Sequence, residues 1–117
     1  MNQSTLNQWR DELHRLINQY VGQNLSKMYL ALYAISLQIN LLYVLANNDD
    51  SRYQEKLDEY EIYVGDSREI MAALDRCLEE ASQRRLKAEY IVAMLETAKL
   101  DLMVKINSTA ESSNEIH

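Results

Sequence analysis

MYLALYAISLQINLLYVLA, residues 28–46, is the stretch on which the fold turns. It runs for 19 residues without a charged side chain. Its apolar residues fall into two helical registers. Met28, Leu32, Ile35, Ile39, Leu42 and Ala46 follow one, and Leu30, Ala34, Leu37, Leu41 and Val44 the other, all at spacings of three and four. Between them runs a weakly polar line at the same spacing: Tyr29, Tyr33, Ser36, Asn40, Tyr43 and Asn47. A helix that is apolar nearly all round is buried on nearly all sides. The reading predicts a helix from about Asn24 to Ala46 at the centre of the molecule. A loop at Asn47-Asn48-Asp49-Asp50 ends it.

The same run is long enough to span a bilayer. Against that reading, Ser36, Gln38 and Asn40 sit at its centre, where polar groups are expensive in lipid. Positive flanks are thin, with Lys27 alone on one side and acids on the other, so no positive-inside signal appears. A buried core helix is expected, and membrane association of residues 28–46 is the lesser alternative.

Working outward, a first helix is predicted from about Ser4 to Val21. Thr5 and Gln8 match a capping box, and Leu6, Trp9, Leu13, Leu16 and Tyr20 form a stripe with Ile17 and Val21 beside it. Gly22 sits where a left-handed C-terminal residue belongs. On the other side, Ser51 with Gln54 suggests a helix from Arg52 to Val64, stopped by Gly65. Asp66 with Glu69 would then cap a long last helix from Ser67 to Ile106. Ile70, Leu74, Cys77, Ala81, Ala88, Ile91, Leu95, Ala98 and Leu102 hold its register. Arg84 and Arg85 interrupt it at core-facing positions, and an unpaired buried Arg would be very costly. A break near Ser82, or acids holding the two guanidinium groups, is therefore expected. Unbroken, that helix would be roughly 60 Å long. Residues 108–117 carry no stripe and are expected to be a disordered polar tail.

The whole is read as an all-α protein. Residues 1–107 form one bundle of four helices, or five if the last one breaks, with coiled-coil-like packing. Its 117 residues suit one domain. The absence of Pro and the presence of only two Gly fit long helices rather than a sheet with many turns.

Little in the sequence points to catalysis. His14 has Asp11 three residues before it, but a metal site needs three or four converging groups. Cys77 lies in an apolar register; a reactive thiolate needs a His or positive neighbours, and the adjacent Arg76 falls on a different helix face. No Glu has a His three residues on, as a di-iron site would require, and the two glycines are too isolated to cradle phosphate. No catalytic, cofactor or metal residue is assigned and no cofactor is expected. A net charge of −6 disfavours direct nucleic-acid binding. The polar start of the chain is not a signal peptide, and a single cysteine fits a reducing, cytoplasmic setting.

What remains is contact chemistry. Eight tyrosines and no phenylalanine suit the half-wet edge of a core or a protein interface. Tyr29, Tyr33, Ser36, Asn40 and Tyr43 are the candidate contact face, where an Asn in a seam would favour one register. Between Asp49 and Glu69 eight acids stand against three bases, which makes Asp58, Glu59 and Glu61 a candidate docking patch. Arg84 and Arg85 are their candidate charge partners. The function expected is non-enzymatic protein binding by a small adaptor, chaperone, inhibitor or regulator of bacterial or phage type, acting on another protein or as a homodimer. A structural subunit of a larger helical assembly is the alternative. An acidic mimic of nucleic acid is weaker still.

Overall fold

The computed structural model describes the backbone of residues 3–46 and 50–115 and the side chains of residues 4–44, 55, 58 and 68–111. These residues form four helices: α1 (Gln3–Val21), α2 (Leu25–Ala46), α3 (Asp50–Gln83) and α4 (Ala88–Glu115). No strand occurs among the described residues.

Local chemistry sets the corners. At the end of α1, Gly22 adopts a φ of 52° and its N–H donates to the Asn18 carbonyl at 3.0 Å. This is the left-handed C-terminal cap, which glycine enters without a Cβ penalty. Two residues on, Asn24 opens α2. Its side-chain oxygen accepts from the Lys27 N–H at 3.1 Å, which satisfies one donor that the first helical turn leaves unpaired. The Gly22–Asn24 corner therefore stops one helix and starts the next.

Between α3 and α4 the same job is done without glycine. The Leu86 N–H reaches back to the Ala81 carbonyl and the Arg85 N–H to the Ser82 carbonyl, both at 3.0 Å. That paired pattern is a Schellman motif. Arg85 occupies its left-handed position at a φ of 60°. Leu86, the next residue, is buried and supplies the apolar contact that accompanies such caps.

The break expected near Ser82 is thus present, at residues 84–87. The stop expected at Gly65 is not, because α3 runs through it. A glycine inside a helix costs only about 1 kcal/mol relative to alanine, which the flanking turns of a 34-residue helix can absorb. With one break gained and one lost, the number of helices stays at four. Helix α4 also continues through 108–115, where a disordered tail was expected. Five of those eight residues are Ser, Thr or Asn, which favour helix weakly, but neither Pro nor Gly interrupts the segment, and Ala110, Glu111 and Glu115 are good helix formers.

One core joins all four helices. Leu6, Trp9, Leu13, Ile17 and Val21 of α1 meet Met28, Ala31, Ala34 and Ile35 of α2. Ile70, Met71, Leu74, Cys77 and Ala81 of α3 and Ile91, Leu95, Ala98, Leu102 and Ile106 of α4 complete it. Helix α2 packs against each of the other three, and α1 also packs on α3. The Trp9 indole N–H donates to the Cys77 carbonyl at 2.8 Å, so the largest buried side chain ties α1 to α3. Gln38 is buried in α2, and its amide donates to Asp75 of α3 at 2.6 Å.

The molecule measures 49 × 36 × 20 Å, with a radius of gyration of 15.0 Å. A compact domain of this length would have about 13 Å. A thickness of 20 Å is about two helix diameters. A slab only two helices deep cannot cover every side of its central helix.

Candidate interaction surface

The uncovered side of α2 is the tyrosine line. Tyr29 is 54% exposed, Tyr33 44% and Tyr43 48%. Asn40 is exposed and Ser36 half-buried. The Ser36 hydroxyl donates to the Leu32 carbonyl of its own helix at 2.9 Å, so it offers little polarity to the outside. The five residues assigned to this face from the sequence therefore share one face of α2, and Tyr33, Ser36, Leu37 and Asn40 line a shallow recess on it.

At its C-terminal end this face meets α4. Leu42 and Tyr43 line a groove of about 320 Å³ together with Ala88, Glu89, Val92, Ala93 and Glu96. The Tyr43 hydroxyl donates to Glu96 at 3.0 Å. This hydrogen bond to a carboxylate, with the adjacent negative charge, holds the Tyr43 phenol above its ordinary pKa. The ionised phenolate would lose the bond and face a like charge.

Beyond the groove, α4 carries an apolar line of its own. Leu100 is 61% exposed and Val104 65%. Tyr90 and Met103 are also exposed, as are Ala93 and Thr97. Tyr90, Ala93, Thr97, Leu100 and Val104 step by three and four along the side opposite the core, where charge is the rule. The Thr97 hydroxyl donates to the Ala93 carbonyl at 2.9 Å, which leaves its methyl group to face outward. Sequence reasoning missed this line because the stronger register through Leu95 and Leu102 absorbed the helix. The uncharged three-four spacing from Tyr90 to Val104 was the available signal.

The charged candidates fare differently. Asp58 is exposed, while the side chains of Glu59 and Glu61 lie outside the described residues. Arg84 turns inward: it bonds Glu12 of α1 at 3.2 Å and lies 3.8 Å from Glu80. It clamps α1 to the end of α3, so it is not available to an outside acid. Its Nη1 is buried and makes no hydrogen bond among the described residues. Arg85 is exposed in the cap. The structure brings the tyrosine face together and engages Arg84 with Glu12 and Glu80.

Comparison with protein-family models, with curated proteins and with solved structures finds no match to this chain. The surface must be read on its chemistry alone. Cys77 is buried, and burial pushes its thiol up to about 11, so it stays protonated at neutral pH. His14 lies 3.8 Å from Asp101 and Asp11 is paired with Arg10. No group of three His, Cys, Asp or Glu that could hold a metal comes together among the described residues.

Proposed function

We propose that this chain is a non-enzymatic protein-interaction module, and that its working surface is the tyrosine face of α2 with the outer line of α4. One observation carries the reading. Every exposed large hydrophobic side chain among the described residues lies on α2 or α4: Tyr29, Tyr33, Tyr43, Tyr90, Leu100, Met103 and Val104. Scattered apolar residues on a surface need no explanation, but a concentration on two adjoining helices marks a contact site. Tyrosine supplies large, amphipathic contact area, which interfaces favour. The partner is a protein, in a reducing cytoplasmic setting that suits the lone buried Cys77.

A membrane reading draws on one observation, that Leu25–Val44 is long and apolar enough to cross a bilayer. It fits poorly with Gln38 buried against Asp75 and with Met28, Ala31 and Ile35 packed in the protein's own core.

A photo-crosslinking amino acid placed at Tyr33, Leu100 or Arg15 tests the proposal in the native cell extract. Discrete protein adducts at Tyr33 and Leu100, and none at the exposed α1 position Arg15, are expected. Equal yields at all three positions, or adducts to lipid alone, would overturn it.

A further inference from the structure

Granted that interaction reading, the outer line of α4 also indicates what covers it. We infer that a second copy of this chain does, with the two α4 helices antiparallel about a two-fold axis between Ala98 and Lys99. In that register Leu100 of one copy packs on Thr97 of the other, Val104 on Ala93 and Tyr90 on Asn107. Each layer sets a larger residue against a smaller one, as close packing requires.

Charge selects this arrangement over its neighbours. The acids that flank the line are Glu89 and Glu96 on one side and Asp101 on the other. In antiparallel helix pairs, equivalent flanks face each other. The proposed register sets Glu96 opposite Met103 and Asp101 opposite Met94. Sliding by one heptad in either direction sets Glu96 against Glu96 or Asp101 against Asp101. A parallel in-register pair sets Glu96 against Asp101 twice. Of these four arrangements the proposed register alone keeps acids apart, with Glu89 opposite Ala110 as well, and like charges placed together at an interface are strongly disfavoured. Residues 50–69 of the acid-rich run belong to α3, whereas α4 from Ala88 to Asn107 carries three acids against two bases. The chain's net charge therefore does not concentrate on this seam.

From Tyr90 to Asn107 the seam is about 26 Å long. One helix width across, that is well below the roughly 800 Å² per partner of a standard stable interface. The dimer is therefore a reversible one, formed and lost by concentration.

Sedimentation equilibrium of the full chain between about 1 µM and 1 mM, the range of modest association, reads this directly. Reversible dimerisation is expected, and Leu100→Glu should move its midpoint at least about tenfold higher with the helical signal unchanged. Thr97→Glu, at the facing position, should do the same. Spin labels at Thr97→Cys or Asn107→Cys, in a Cys77→Ala background, report the register. With helix axes 8–10 Å apart, backbone separations of about 10 Å at residue 97 and about 27 Å at residue 107 are expected. Short separations at both positions would overturn the antiparallel register. A chain that is monomeric throughout the range would overturn self-pairing and leave the surface to a different protein. A dimer dispersed by Tyr33→Glu but not by Leu100→Glu would also overturn the α4 seam while upholding the wider interaction reading.

Discussion

Cys77 shows how burial decides the chemistry of a single residue. The apolar layer around it, with Glu80 and Glu12 nearby, raises its thiol pKa to about 11, and Arg84 offsets this only in part. The ordinary value is 9.0, so the folded chain carries about a hundredfold less thiolate near pH 8 than the unfolded chain. Alkylation by iodoacetamide at pH 8, followed by mass, should be at least about tenfold slower in the native protein than in denaturant. Comparable rates would contradict the burial. The sign for stability follows: the raised thiol contributes fully below pH 9 and its contribution is lost as pH climbs toward 11. The apolar register alone marked this cysteine as a core residue. Gln38 was not legible in the same way. Its polarity argued against lipid, but its partner Asp75 lies 37 residues away, and no local pattern reveals a contact of that range.

At the scale of the elements, corners were readable where a backbone requirement shows in residue type. Gly22 announces a left-handed cap and is used as one, while the N-cap role of Asn24 appears only in the structure. Gly65 announces the same stop and does not act as one, because α3 has enough helix on both sides to carry it. The real stop falls at Arg85, a residue type that gives no such signal. The two glycines should therefore respond oppositely to alanine. At Gly22 nothing crowds a new Cβ, so the cost is the left-handed backbone alone, about 1 kcal/mol. At Gly65 a helical backbone suits alanine, and a gain of about 0.5–1 kcal/mol is expected. Urea unfolding of Gly22→Ala and Gly65→Ala measures both. A loss at Gly65 would show that α3 is interrupted there.

For the whole molecule, the all-α class and the central place of α2 followed from one uncharged run and a near absence of turn residues. Its depth did not. Periodicity shows which faces are apolar, but not how many layers of helix will cover them. In a slab 20 Å thick, Tyr29, Tyr33 and Tyr43 emerge on α2, and Leu100 and Val104 on α4. The central claim is that these side chains are exposed to solvent on the isolated chain and covered when it works, while the core beneath them is closed in both conditions. Hydroxyl-radical footprinting of the dilute purified chain and of the chain in its native complex measures this residue by residue. Strong oxidation of Tyr33, Leu100 and Val104 in the isolated chain and protection in the complex are predicted, with Trp9 and Met28 unreactive in both. Equal labelling of the surface residues in the two settings, or ready oxidation of Trp9 and Met28, would contradict the account.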